Sequence, residues 1–438
     1  MERKILIVLV LGVLIAVGFL ASRYPRGSQK PRSSETAAED DLPRELAELP
    51  EDFYPAGLTR EGLLSRLHEA VDKTGEIHDE TWSGVIRITG DTYLKEGASL
   101  TILPGTIIFL AAHSDDQHSG ELCEVDPINP HEFFGADYRL SHTSLRMEGC
   151  LRAVGTPDEP IVITSDSAEP TLWDWDHLVI RNGTLRYCVV EYGWGIVASS
   201  SSVEISHCVI RKMLQQGVLV NGKPGVSVEI SPNITYNFIY DVGHGPVQAF
   251  RSSPYIASNV FIQVRTTDQN LSSYLLKGEN PGVDIGGDSA GRYLGGPARV
   301  ENNYIMCAHN PKWTEGLRKA GGIGTGVSIN SNAIVRNNII TGGDLAFELF
   351  GGAPRIHNNC VHDISEAYMW VHSEYRDLFP EIIDVSNNWW GTTDETTVSK
   401  GIKVVGDGEA PEIGFLPLAS SPIPNAGPNW TEFEWLYK

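Results

Sequence analysis

A short motif recurs eight times between residues 185 and 390, always as apolar-x-x-[Asn/Cys]-apolar-apolar. The fourth position, here called the ladder position, is filled in chain order by Cys188, Cys208, Asn237, Asn259, Asn303, Asn338, Asn359 and Asn388. Successive ladder positions are 20, 29, 22, 44, 35, 21 and 29 residues apart. A short fixed core that recurs at variable spacing indicates a solenoid, because such units bury their apolar residues only by stacking on one another.

The repeating unit favours strands over helices, since its apolar runs are short, β-branched and bounded by Gly, Asn, Ser and Pro. The prediction is an all-β chain, wound into a parallel β-helix. Residues three before the ladder position should form one interior stack, and residues two after it should form a second. The ladder asparagines should hydrogen-bond to one another at the spacing of about 4.8 Å between strands and adopt the left-handed backbone of a bend. For Cys188 and Cys208, two alternatives stay open: a disulfide, or buried thiols that replace ladder asparagines.

Three further stretches extend the pattern: SLTILPGTIIFL (99–110), CLRAVGTPDEPIVITS (150–165) and NNWWGT (387–392) followed by GFLPLASSP (414–422). Together with the ladder they resemble the secreted right-handed parallel β-helix proteins of the pectin-lyase-like superfamily, over roughly residues 80–422. The resemblance implies the fold. It leaves activity open, because that superfamily contains lyases, hydrolases, epimerases and adhesins.

Outside the repeats the chain divides by composition. Residues 5–21 are apolar without a charge, which predicts a membrane anchor helix or, as the alternative, a cleaved signal peptide. The β-helix is expected outside the cell membrane, attached by a single span, or secreted if the segment is cleaved. The predicted segments are 1–21 (signal anchor or signal peptide), 22–58 (disordered tether), 59–79 (helical cap segment), 80–422 (β-helix) and 423–438 (tail). Within the cap segment, residues 59–73 are predicted to form an amphipathic helix near or over the open end of the β-helix, with Thr59 as its N-cap.

The formal net charge of −22 restricts the partners of the chain. Such a charge disfavours nucleic acids, and it disfavours anionic polymers unless cations bridge the two. We therefore expect no nucleic-acid partner.

Two long insertions, residues 266–298 and 308–326, leave the same side of the predicted solenoid. Because stacking brings side chains of separate coils together, we expect a polar stripe there whose catalytic candidates are Asp241, His244, Arg265, Asp268 and His309. Substrate-binding candidates are Trp313, Arg292 and Glu315, and Asp284 with Asp288 is a candidate Ca²⁺ site. A third insertion, residues 112–145, concentrates His and carboxylate side chains that suit a metal.

The sequence therefore predicts a surface protein that binds or acts on a carbohydrate polymer or cell-surface glycan. If it is an enzyme, the expected classes are polysaccharide lyase, epimerase and glycoside hydrolase. The alternative is a structural or adhesive protein without a reaction, since polar residues after a strand also form ordinary solvated turns.

Overall fold

A computed structural model describes residues 42–50, 52–117, 140–222, 230–263, 279–286, 297–307 and 323–438. The short α-helices are α1 (Arg44–Ala47), α2 (Arg60–Ser65) and α3 (Glu395–Gly401), with 3₁₀ turns at Pro55–Gly57, Leu67–Glu69, Ser373–Leu378 and Trp430–Leu436. The strands are β1 (Val71–Ile77), β2 (Glu80–Trp82), β3 (Val85–Leu94), β4 (Ser99–Ile102), β5 (Ile107–Leu110), β6 (Leu145–Val154), β7 (Ile161–Ser165), β8 (Trp175–Arg186), β9 (Cys188–Glu191), β10 (Gly193–Ala198), β11 (Val203–Ser206), β12 (Val209–Met213), β13 (Gln216–Asn221), β14 (Asn233–Thr235), β15 (Phe238–Val242), β16 (Gly245–Phe250), β17 (Tyr255–Ala257), β18 (Val260–Gln263), β19 (Glu279–Gly286), β20 (Ala298–Glu301), β21 (Tyr304–Cys307), β22 (Ile323–Asn330), β23 (Ala333–Arg336), β24 (Ile339–Thr341), β25 (Leu345–Gly351), β26 (Arg355–His357), β27 (Cys360–His362), β28 (Ala367–His372), β29 (Ile382–Asp384), β30 (Ile402–Val405) and β31 (Glu412–Gly414).

Strand pairing is regular along the chain. Each strand of the large sheet pairs in parallel with a strand of the next coil. The described strands form one large sheet and the small pair β29–β31. The large sheet has three faces. Face 1 runs through β11, β14, β17, β20, β23 and β26; face 2 runs through β9, β12, β15, β18, β21, β24 and β27; face 3 runs through β10, β13, β16, β19, β22, β25 and β28. This winding is compatible with the predicted parallel β-helix.

The two predicted interior stacks are confirmed. On face 1, Ile205 pairs with Ile234 and Ile234 with Ile256, in the register that the motif requires. On face 2, Val190 pairs with Ile210 and Ile210 with Ile239. All of these side chains are buried in one continuous apolar core. The motif therefore fixes both the register and the interior of the solenoid.

The asparagine ladder is also confirmed. Each amide nitrogen donates to the amide oxygen of the next coil, at 2.9–3.0 Å, from Asn237 through to Asn388. The ladder begins at Cys208, whose backbone N–H donates to Asn237 Oδ1 at 3.0 Å. Cys188 and Cys208 are buried free thiols, so the disulfide alternative is wrong.

The left-handed bend, in contrast, lies one residue earlier than predicted. Positive φ angles occur just before the ladder position, at Tyr187, His207, Tyr236, Ser258, Asn302, Asn337, Asn358 and Asn387. The ladder residue itself continues into the next strand, so that its amide points inward. In each Asn-Asn pair, the first residue makes the bend and the second makes the ladder.

The segment before the first coil packs on the outward side of face 2. Thr59 caps α2 as predicted, accepting from Gly62 N at 3.1 Å. Arg60 then donates to Thr164 Oγ1 at 3.1 Å, and Leu63 packs with outward side chains of face 2. The helix is shorter than the predicted 59–73, because the chain continues from Val71 as strand β1.

Part of the predicted tether is folded as well. Leu42, Leu46, Phe53 and Tyr54 are buried against the outward side of face 2, which the tail around Phe433 also covers. Among the residues that the structure describes from 42 onward, each helix is too short or too polar to cross a bilayer. The predicted anchor, residues 1–21, lies outside the described residues.

Candidate functional site

Two residues of the predicted polar stripe, Asp241 and His244, lie at the corner between faces 2 and 3. Residues 264–278 connect β18 to β19 and residues 308–322 connect β21 to β22, so both leave face 2 and return to face 3. Asp241 lies at this corner, buried, with φ 51°. His244 follows it, and its backbone N–H donates to Gln215 O at 3.0 Å. The remaining candidates of the stripe and its surroundings lie outside the described residues: Arg265, Asp268, Asp288, Arg292, His309, Trp313 and Glu315.

The predicted insertion 266–298 is not one loop. Strand β19 occupies its centre and pairs with β16 on one side and β22 on the other. Asp284 therefore lies on a strand of face 3. Its partner in the predicted Ca²⁺ site, Asp288, lies outside the described residues, so that site stays a prediction. Within the described part of the chain, no group of three or more His, Cys, Asp or Glu side chains is arranged to hold a metal.

Asp284 belongs to a row of outward-facing polar side chains on face 3. Backbone register aligns Gln248 with Asp284, Asp284 with Ser328, and Ser328 with Glu348. These four residues are here called the acid row. The residues on either side of each, such as Val283 and Ile285, point into the core, so the alternation of a strand places the acid row outward.

Hydrogen bonds connect the first three residues of the acid row, Gln248, Asp284 and Ser328. Gln216 Nε2 donates to Gln248 Oε1, and Gln248 Nε2 donates to Asp284 Oδ2 at 3.3 Å. Burial raises the pKa of Asp284 to about 6; a hydrogen bond with Ser328 opposes the shift and the charge of Glu348 adds to it. Asp284 therefore retains a proton at a pH where an ordinary aspartate is ionised.

Glu348 occupies the other end of the acid row and is fully buried. Its Oε1 accepts from His372 Nε2 at 2.7 Å, and the imidazole of His372 stacks on Phe350 with ring centroids 4.2 Å apart. Its Oε2 has no hydrogen-bond partner among the described residues. The next residue in register is Trp370, which is partly exposed, followed by the exposed Lys403.

The arrangement places two carboxyl groups on the same side of a rigid sheet. Two strand spacings separate Asp284 from Glu348, or about 9.5 Å between backbone positions. In inverting glycosidases the carboxyl groups of the acid and the base lie about 6.5–9.5 Å apart, so that a water molecule fits between the base and the sugar. The protonated Asp284 fits the acid, and the histidine-bound Glu348 fits the base.

Gln248, Ser328, Glu348 and His372 were missed by the sequence analysis, although a signal for most of the row is present. Four strands of face 3 carry a second repeat of apolar-polar-apolar form: VQA (247–249), VDI (283–285), VSI (327–329) and FEL (347–349). In the next strand the central position holds a tryptophan, in MWV (369–371). This repeat is shorter than the ladder motif and lies at changing distances from it.

Comparisons of the chain with protein-family models, with curated proteins and with solved structures find no match.

Proposed function

We propose that the protein is a membrane-anchored, extracytoplasmic, right-handed β-helix protein similar to the pectin-lyase-like superfamily, and that it binds a carbohydrate polymer along the acid row. One observation carries the proposal: Asp284 and Glu348 face the same way, two coils apart, with Trp370 next in the row. Indole rings stack on the apolar faces of sugars. A polymer that follows the solenoid axis meets the carboxyl pair and the indole in succession.

Glycoside hydrolysis with inversion is the reaction that this spacing favours. Asp284 donates a proton to the leaving oxygen. Glu348, held by His372, takes a proton from the attacking water. A structural or adhesive role without a reaction is the second candidate, and a specific observation favours it: the residues of the acid row are largely buried and bond to one another.

Turnover and binding, measured separately, distinguish the two. The parent protein and the variants Asp284→Asn, Glu348→Gln and Trp370→Ala are incubated with a panel of neutral and acidic polysaccharides, and new reducing ends and bound polymer are quantified. Glu409→Gln, an exposed carboxylate outside the row, is the matched control.

Hydrolysis predicts that the two carboxyl variants lose about 100-fold or more in turnover. Trp370→Ala should weaken binding, and Glu409→Gln should match the parent. If the parent binds a polymer but does not cleave it, the protein binds carbohydrate and the proposed hydrolysis is wrong. If the folded parent neither binds nor cleaves any polymer, the proposal fails and the structural role replaces it.

A further inference from the structure

A second group of polar side chains lies outside the acid row, further toward the start of the same corner between faces 2 and 3. Ser141 Oγ lies 2.9 Å from His142 Nδ1, and His142 Nε2 lies 2.9 Å from His113 Nδ1. His113 Nε2 lies 3.2 Å from Asp174 Oδ1. Four side chains thus form one continuous hydrogen-bonded chain.

Asp174 defines the end of this chain. It is buried, and it accepts hydrogen bonds from Ser165 Oγ, from Thr171 N at 2.9 Å and from Thr171 Oγ1 at 2.5 Å. Burial alone would raise the pKa of Asp174, but these bonds and the one from His113 hold it below the ordinary value. Asp174 is therefore a carboxylate, which only accepts.

An accepting carboxylate sets the direction of the other two bonds of this chain, from His142 to His113 and from Ser141 to His142. His113 must carry its proton on Nε2, so the Nδ1 of the neutral ring is a bare acceptor. His142 then donates to it through Nε2. His142 Nδ1 therefore carries no proton, and it accepts from the Ser141 hydroxyl. The Ser141 hydroxyl donates to a base that is oriented by two further groups, as in serine hydrolases.

The surroundings favour a positive charge on His142 when it takes the proton. Asp176 is buried close by and contributes a second negative charge, with Ser144 Oγ donating to its Oδ2 at 2.9 Å and His177 Nδ1 at 2.9 Å from its Oδ1. Ser141 and His113 are partly exposed, so the chain has a solvent-accessible end. Trp173 packs against His113, with ring centroids 6.4 Å apart, and provides an apolar surface beside it.

We propose that Ser141 is the nucleophile of a second catalytic site, which hydrolyses carboxylic esters. Ser141 Oγ bonds to the ester carbonyl carbon while its proton moves to His142 Nδ1. The carbon–alkoxide bond breaks, and the leaving alcohol takes that proton. Water then gives a proton to His142, attacks the acyl carbon and releases the carboxylic acid, and the proton returns to Ser141.

A fluorophosphonate probe with peptide mass spectrometry, alongside hydrolysis of p-nitrophenyl acetate, tests this site. The probe should modify the peptide that contains Ser141. Ser141→Ala should abolish both signals, whereas Ser202→Ala, an exposed serine elsewhere, should change neither. His113→Gln and Asp174→Asn should each slow labelling about 100-fold or more, because the base loses its orientation.

A thiol at position 141 keeps the test decisive if the Asp174 variant unfolds. In a Cys150→Ser background, which removes an exposed free thiol, Ser141→Cys should react with iodoacetamide at pH 6.5 much faster than an ordinary thiol of pKa about 8.5. Adding His113→Gln should remove that advantage. An unlabelled Ser141 in the folded parent, or thiol reactivity that ignores His113, overturns the proposal.

Discussion

At the scale of single residues, the two asparagines of each Asn-Asn pair have different roles. The sequence analysis assigned the bend and the ladder to the same residue. The first two coils of the ladder show why this is wrong, because Tyr187 and His207 take the positive φ where no asparagine precedes the ladder position. In an Asn-Asn pair the two residues are identical, so the sequence does not show which of them makes the bend. Coils in which another residue precedes the ladder position distinguish the two roles.

The two roles predict different costs for the same substitution. Asn338→Leu removes bonds to Val300 O, Arg336 O and Asn359 Oδ1 and leaves Asn303 without its acceptor, all in a fully buried place. We expect a loss of about 3 kcal/mol or more in the free energy of unfolding. Asn337→Leu changes only the left-handed residue, at about 1–2 kcal/mol. Urea denaturation of both variants measures the difference, and equal costs would contradict the division of roles.

The raised pKa of Asp284 predicts how the stability of the protein depends on pH. Its folded-state pKa of about 6 lies above its ordinary value of 3.8, so between these pH values the folded chain holds a proton that the unfolded chain has lost. The stability contributed by Asp284 therefore falls as pH rises through this window. Asp284→Asn stays neutral, so its stability relative to the parent should increase from pH 4.5 to pH 7. At pH 7 the difference in the free energy of unfolding should be about 1–3 kcal/mol. Thermal melts across this range test it; the exposed Asp377→Asn should give no such trend.

At the scale of elements, the segment 42–58 is the clearest difference between prediction and structure. Its composition indicates disorder, but Phe53 and Tyr54 are buried on face 2. The reason lies in the repeat itself: the residue after each ladder position, such as Val209 or Phe238, is apolar and points outward. An apolar outward face needs a cover, but the sequence does not state which segment provides it.

Beneath this segment lies a buried ion pair. Arg211 Nε donates to Glu191 Oε2 at 2.8 Å, and both side chains are fully buried. The segment completes the pair, since Tyr54 OH donates to Glu191 and Arg211 Nη1 donates to Phe53 O at 2.5 Å. The segment therefore stabilises charges of the solenoid as well as covering apolar side chains.

Removing the segment should be costly for this reason. Deletion of residues 1–58 removes the Tyr54 bond to Glu191 and the Phe53 carbonyl that Arg211 binds, together with the apolar cover. We expect a loss of about 3–5 kcal/mol in the free energy of unfolding and increased binding of an apolar dye. Deletion of residues 1–41 is the matched control, and it should leave the melting temperature of the rest unchanged. Similar melting temperatures for the two deletions would show that the segment contributes little.

At the scale of the whole molecule, the repeat predicts the solenoid but not the candidate site. Counting three residues back from the ladder position, or two residues forward, was enough to place Ile205, Val190 and their equivalents in the core. The acid row depends on face 3, whose strands start at variable distances from the ladder because loops of different length intervene. Insertions that hide the register of one face therefore conceal the residues that this face aligns.

The placement of the whole molecule is the last prediction. Residues 5–21 carry no charge, and the protein should remain in the membrane fraction after a high-salt wash because of them. The form that lacks residues 1–41 should be recovered as soluble protein. A protease added to intact cells should remove a tag fused at residue 438 if the solenoid lies outside. Recovery of the full-length product as soluble protein, with an N-terminus after Ala21, would identify residues 1–21 as a cleaved signal peptide and contradict anchoring.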